Sequence, residues 1–364
     1  MSHRVLVLGG YGNFGQPICR ALAQDAGIEL LVGGRNAKRA TAFAGTLGAR
    51  GLAIDARATE LAAQLKSQDI ATVIHTAGPF QGQDYAVAEA CVAAGCNYLD
   101  LADGRDFVAG IGALDNRAQA AGVLVTSGAS SVPALSAAVV DHFLPEFAEL
   151  REIRHGISSG AKTPGLATMQ AVFGYCGKPF DRLEGGNWAT THGWLDLKRR
   201  RYAGPVGARW LGSCDVPDLE LFPLRYPGVR DVEFHAGVGN PVSHIATWAL
   251  AGLVRNGWLK SLLPLARPLW HLSRWLEPLG TKLSAMHVEL KGIGRDGTLL
   301  ERRWQLVAYD NHGPQIPCGA TIALARKLAR GLVQFKGATP CVGLLTLEEY
   351  LGALSHLKLK QVLQ

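Results

Sequence analysis

Arg4-Val5-Leu6-Val7-Leu8-Gly9-Gly10-Tyr11-Gly12-Asn13-Phe14-Gly15 decides the fold. Four apolar residues in succession, Val5 to Leu8, read as a short strand buried on both faces, the kind that lies at the centre of a parallel sheet. Gly10, Gly12 and Gly15 then supply G-x-G-x-x-G, and Gln16 to Ala23 continue with helix-forming residues. Gly10 serves the tight turn, Gly12 lets backbone approach a pyrophosphate, and Gly15 lets helix and strand touch. A helix beginning near Asn13 points unpaired N–H groups and its positive dipole end at that phosphate. With 44 glycines in 364 residues the motif alone is weak; the strand before it and the helix after it give it weight. The bland alternative is a tight βα turn that holds nothing.

The following residues keep the same grammar. Strands are expected at Glu29–Val32, Gly51–Asp55, Thr72–His75, Asn97–Asp100 and Gly122–Thr126. Helices are expected between them at 37–47, 58–65, 83–94 and 108–121. Six strands alternating with helices imply right-handed crossovers and a Rossmann-type doubly wound parallel sheet. Ligands bind such sheets beyond the carboxyl ends of the strands. After Pro133 the pattern changes: a helix over 134–143, a strand over 152–157, a hairpin around Asp296-Gly297, and 178–228 reading as long loops. This is a second α+β domain. Pro317 opens a late helix, and Thr346-Leu347-Glu348-Glu349 forms a capping box. The expected domains are 1–130, 131–315, and 316–364 as a helical segment packing back on the first.

Composition limits the functional classes. At 48% hydrophobic residues the chain can bury a large core, so disorder is not the reading. The net charge is +7, but the cations are spread out, and the one dense run, Lys198-Arg199-Arg200-Arg201, reads as a solvated loop or phosphate contact. No zinc-finger or RNA-binding signature accompanies it, so no nucleic-acid partner is expected. Seven scattered cysteines without C-x-x-C indicate neither a disulfide framework nor a metal site. The first strand leaves no room for a signal peptide, and no apolar run approaches the roughly eighteen residues of a membrane span, so a cytoplasmic location is expected. The amphipathic stretch 258–279, interrupted by Pro264 and Pro268, is expected to pack against protein; membrane-surface contact and a homodimer stay open.

The end of strand two sets the cofactor. A carboxylate there normally holds the ribose 2′-hydroxyl of NAD. Here the residues are Gly33, Gly34, Arg35 and Asn36, then Lys38 and Arg39, and no carboxylate falls between Val32 and Leu47. Arg35 can meet a 2′-phosphate with charge-assisted hydrogen bonds, so NADP is the expected cofactor. The expected cofactor-binding residues here are Gly10, Tyr11, Gly12, Asn13, Phe14, Gly15, Arg35, Asn36, Lys38 and Asp55. G-x-S-x-G and P-loop patterns are absent, which removes the usual support for hydrolase and kinase readings.

Taken together, Val5–Gly15, His75-Thr76-Ala77-Gly78-Pro79-Phe80, Cys96–Asp103 and Ser127–Leu135 resemble the saccharopine dehydrogenase-like oxidoreductases. The resemblance is specific over about residues 4–140 and looser through Pro164–Thr168 to the C-terminus. It implies an NADP-binding Rossmann domain, an inserted second domain and a C-terminal segment returning to the first. It also implies that Ala77, Gly78, Pro79 and Phe80, after strand four, are cofactor-binding, with Gly78-Pro79-Phe80 lining the nicotinamide side. His75 reads as a packed core histidine, Asp100 as either a cap or a substrate-orienting group, and Asp103 and His312 as candidate catalytic groups. The expected function is oxidoreduction of a small or lipid-like carbonyl, imine or enoyl substrate. The alternative is a non-catalytic NADP-binding sensor or interaction protein.

Overall fold

The computed structural model describes residues 2–160 and 162–363. The chain divides into two units, Met1–Leu135 with Gln315–Leu354, and Ser136–Pro314 with Ser355–Gln364. It therefore passes from one unit to the other three times.

In the first unit, strands β1 (His3–Leu8), β2 (Ile28–Gly34), β3 (Arg50–Ala53), β4 (Thr72–His75), β5 (Asn97–Asp100) and β6 (Leu124–Ser127) alternate with helices. The helices are α1 (Gly15–Leu22), α2 (Ala37–Gly45), α3 (Leu61–Ser67), α4 (Ala86–Ala94), α5 (Arg105–Ala109) and α6 (Asp115–Ala120). The expected helix over 108–121 is two short helices joined by a tighter turn at Gly110–Leu114. All strands pair parallel, and β1 lies between β2 and β4, so the strand order reverses beside β1. Val5, Leu6, Val7 and Leu8 are buried, as a central parallel strand requires.

The second unit begins with α7 (Ser136–Phe143) and β7 (Phe147–Ser158), followed by α8 (Leu166–Tyr175). The stretch read as long loops is instead β8 (Pro179–Glu184), β9 (Asn187–His192), β10 (Lys198–Tyr202), β11 (Gly207–Ser213) and α9 (Asp218–Arg225). β8 and β9 form a hairpin, and the basic run is strand β10 at a sheet edge, paired with β11. Then come β12 (Asp231–Gly237), α10 (Pro241–Arg255), α11 (Ala266–Leu276), β13 (Ser284–Gly294) and β14 (Leu299–Ala308). The expected hairpin is β13–β14, turning through Asp296-Gly297 with Gly297 at φ +80°.

The chain then returns through α12 (Gly319–Ala329), β15 (Gly337–Pro340) and α13 (Leu347–Gly352), and ends in β16 (Leu359–Leu363). The returning segment is not purely helical. β15 adds a seventh parallel strand beside β6, with Ala338 N–H bonded to Asp115 at 2.8 Å. Residues 355–364 belong to the second unit, where β16 pairs with β14.

The mixed seven-stranded sheet of the second unit runs β10-β11-β12-β7-β13-β14-β16. Ile153, His155, Val288 and Leu290 face its buried side. On the other side Glu233, Arg154, Glu289 and Arg303 stand in register on four adjacent strands, alternating in sign. Opposite charges across neighbouring strands favour this register over a one-residue slip, which would turn them inward.

The capping box opens α13: the Thr346 hydroxyl accepts from Glu349 N–H, and the Glu349 carboxylate accepts from Thr346 N–H at 3.0 Å. Thr346→Ala should cost about 1 kcal/mol, read as a lower denaturation midpoint at unchanged denaturant slope.

Candidate functional site

The glycine turn between β1 and α1 is built from backbone pressed on backbone. A Cβ on Gly15 would lie 2.2 Å from Gly9 O and 2.6 Å from Gly10 Cα; one on Gly10 would lie 2.9 Å from both Val7 O and a Val32 methyl. Gly9 has φ +80°, and a Cβ there would meet the Thr76 hydroxyl at 2.7 Å. The turn therefore lies directly against the loop that follows β4. Gly9 and Gly10 N–H bond Gly33 O, and Gly12 N–H bonds Gly9 O. Among the described residues, the N–H groups of Asn13, Phe14 and Gly15 make no backbone hydrogen bond. Free N–H groups opening a helix, on a turn that Cβ atoms would fill, fit the pyrophosphate of a dinucleotide.

At the end of β2, Tyr11 lies against Gly34, where a Cβ would touch its ring at 2.4 Å. The Tyr11 hydroxyl accepts from Asn36 N–H at 3.1 Å, and the Arg39 guanidinium sits over the ring at 4.7 Å. Asn36 caps α2, its side-chain oxygen accepting from Arg39 N–H at 3.0 Å. That oxygen is therefore engaged in the helix start, and the residues left exposed here without a hydrogen bond among the described residues include Arg35 and Lys38. Asp55, exposed after β3, accepts from Arg57 N–H in a turn of its own. Sequence spacing could not reveal the Tyr11 clamp, because the contact exists only once β1 and β2 are paired.

After β4, the Thr76 hydroxyl donates to Leu8 O at 2.8 Å, and Ala77, Gly78 and Pro79 are exposed. The Gln83 side-chain amide donates to the carbonyls of Ala77 and Pro79, fixing this loop from inside. Phe80 is buried edge-on to His75, with ring centres 5.1 Å apart. His75 is buried within β4 and pairs with the Tyr98 hydroxyl at 3.2 Å; burial pushes its pKa down to about 4, so it is neutral at pH 7.

Asp100 is fully buried at the end of β5. Its Oδ1 accepts from Ala102 N–H, Gly128 N–H and the Ser127 hydroxyl at 2.8–3.0 Å, tying the loops after β5 and β6 together. Its Oδ2 has no partner among the described residues. Burial outweighs those three donors and raises its pKa to about 6. Asp103 is half-buried, accepts from the Gln81 amide at 3.0 Å, and burial raises its carboxyl as well. His312 belongs to the second unit, where its Nδ1 accepts from Lys358 N–H at 2.9 Å.

The second unit also contains a buried Ser136–Asp218–His155 cluster. Both Ser136 and His155 bond to Asp218 Oδ1, the latter at 2.9 Å. With the serine hydroxyl donating to the aspartate and the whole group buried, the arrangement is a packing device rather than a nucleophile. All seven cysteines are buried and none is in a disulfide, and no group of three or more His, Cys, Asp or Glu among the described residues could hold a metal ion. No helix among them is long and apolar enough to cross a membrane.

These features, a glycine turn and free helix-opening N–H groups at the point where strand order reverses, are those that dinucleotide-binding sheets use. Residues 5–126 match the family model described as the saccharopine dehydrogenase NADP binding domain. Over those residues the first unit is similar to that family's cofactor domain, which supports a dehydrogenase-type function with a nicotinamide cofactor. Among solved structures, the chain is similar to saccharopine dehydrogenase (L-Glu forming) from Saccharomyces cerevisiae, with 15% identity and a TM-score of 0.69. That match covers 99% of this chain and 100% of the other. It is also similar to the homospermidine synthase of Legionella pneumophila in complex with NAD (10% identity, TM-score 0.64, covering 100% and 92%). A third is the amine dehydrogenase of Mycobacterium smegmatis (12% identity, TM-score 0.51, covering 95% and 96%). At these identities the likeness is one of fold. No curated protein sequence matches the chain significantly.

The raised pKa of Asp100 has a signed consequence. The native state holds its proton more tightly than the unfolded state, so this group's contribution to stability falls as pH rises from about 4 to about 6. Asp100→Asn keeps an acceptor oxygen and removes the titration. The stability of the native protein minus that of Asp100→Asn should fall by on the order of 2–3 kcal/mol across that window and be flat above it. Urea unfolding of both proteins at several pH values gives the comparison.

Proposed function

We propose that the protein is an NADP(H)-dependent oxidoreductase acting on a small or lipid-like carbonyl, imine or enoyl substrate. The observation that carries this reading is the end of β2, where a glycine cradle is followed by exposed Arg35 and Lys38 and by no carboxylate. When bound, the nicotinamide supplies or accepts the hydride. The chain's own residues bind and orient. The N–H groups of Asn13, Phe14 and Gly15 hold the pyrophosphate, and Arg35 with Lys38 meets the 2′-phosphate. Gly78-Pro79-Phe80, braced by Gln83, forms the nicotinamide wall.

Asp103 and His312 are proposed as the proton-handling groups. A carboxyl raised by burial holds a proton closer to neutral pH, where it can be exchanged. Because His312 Nδ1 accepts from Lys358, a neutral ring carries its proton on Nε2, which leaves that atom as the donor.

Arg35→Ala should weaken NADPH by about ten- to a hundredfold, the effect of losing a charge-assisted hydrogen bond of about 1.5–3 kcal/mol, and leave NADH nearly unchanged. Calorimetric titration of both cofactors measures this. Equal affinity of the native protein for the two overturns the assignment of Arg35. Consumption of NADPH against a panel of carbonyl, imine and enoyl compounds tests catalysis; binding without turnover across the panel favours the sensor.

A further inference from the structure

The second unit contains a cavity of about 160 Å³ roofed by α11 and walled by α8 and α10. Its lining is overwhelmingly apolar: Met169, Phe173, Leu250, Leu269 and Leu276 contribute to it. The size is that of a cavity known to accept a benzene-sized group. Native interiors seldom leave such space unfilled.

Three bonds hold the roof open and in place. Trp270 Nε1 donates to Pro164 O at 2.9 Å, Thr163 N–H to the Glu277 carboxylate at 3.0 Å, and the Asn240 side-chain amide to Leu276 O at 3.1 Å. α11 is therefore fixed over the void rather than collapsed into it. Within the stretch expected to pack against protein, Leu269, Leu272 and Leu276 line the cavity. Leu272 is also 54% exposed and Trp275 85%, so the outer edge of the roof is apolar as well.

Small polar residues are interspersed in the lining, and one buried donor there is unsatisfied. Trp194 lines the cavity, is 96% buried by its 4% exposure, and its Nε1 has no acceptor among the described residues. His244 packs on Trp194 with ring centres 5.1 Å apart, and neither of its nitrogens has a partner. Buried donors without acceptors are costly, and a ligand oxygen would satisfy them. Lys162 is the single charged residue of the lining, exposed and cationic.

We propose that this cavity binds a small amphiphilic carboxylate, its hydrocarbon portion under α11 and its head group countered by Lys162. The lining fixes both halves of that description. Burial of the hydrocarbon against leucine, phenylalanine and methionine provides the affinity. The lone lysine and the orphaned Trp194 donor select an oxygen-bearing, anionic end over a plain hydrocarbon. A chain longer than the cavity would leave past Leu272 and Trp275. The site lies wholly within the second unit and does not rest on the cofactor assignment.

Octanoate and 1-octanol, titrated calorimetrically into the full-length protein, test it. Octanoate should bind with a sub-millimolar dissociation constant. Ala246→Phe, which places a ring in the lining, should abolish binding of both compounds. Lys162→Met should weaken octanoate about three- to tenfold, a modest factor because the lysine is exposed, and change octanol by less than about twofold. NADPH titration and thermal melting serve as controls for the first unit and for folding. If Ala246→Phe does not fold, Val172→Trp fills the same space from α8. Failure of octanoate to bind, or binding that survives the cavity-filling variant, overturns the proposal. Equal loss of octanoate and octanol in Lys162→Met overturns the role of the lysine.

Discussion

The first unit depends on one close approach. Gly15, the first residue of α1, sits so near Gly9 and Gly10 that a single methyl group would collide with main-chain atoms. Main chain cannot give way as a flexible side chain can, so the contact admits only glycine. It fixes where α1 begins, and with it the direction of the free N–H groups. The same turn touches Thr76, so the loops after β1 and β4 are set against each other by the chain itself. The site at the strand reversal is rigid for that reason, with no need for a ligand to assemble it.

The parts of this that were legible in sequence are those governed by local chemistry. Thr72–His75 and Asn97–Asp100 are strands with the expected boundaries, because short apolar runs between glycine and polar turns leave little else. The capping box at Thr346 forms as its spacing demands. β15 was not legible. Gly337-Ala338-Thr339-Pro340 has no alternation and contains both residues that weaken strands. It is a strand because β6 offers an open edge and the Asp115 carboxylate holds Ala338 N–H. The charged, Gly- and Pro-rich stretch that became β8 to β11 was misread for a related reason. Lys198, Arg200 and Arg209 are only half-buried, and Lys198 and Arg200 are neutralised by Glu233 and Glu289, far away in sequence.

The candidate site divides along the same line. The glycines, the missing carboxylate after β2 and the position of Arg35 could be read from spacing. The engagement of Asn36 by α2 and Tyr11, and the threefold use of Asp100 Oδ1, could not, because their partners arrive from other loops. Asp100 is a brace between β5 and β6. Its three donors hold the loops in place while its buried second oxygen keeps the carboxyl near the border of ionisation. A stiff brace here serves binding more than chemistry, since both loops leave the sheet on the ligand side.

The late return of the chain has a consequence for how the protein is made. α12, β15 and α13 belong to the first unit, yet they leave the ribosome only after residues 136–314 of the second have been synthesised. Until then β6 is an exposed strand edge, and Asp25 waits for the guanidinium of Arg326, which reaches it at 2.9 Å. An open parallel edge is a template for unintended pairing. The first unit is thus begun first and completed only after residues 136–314 have been made, and the second in turn waits for its last strand, β16.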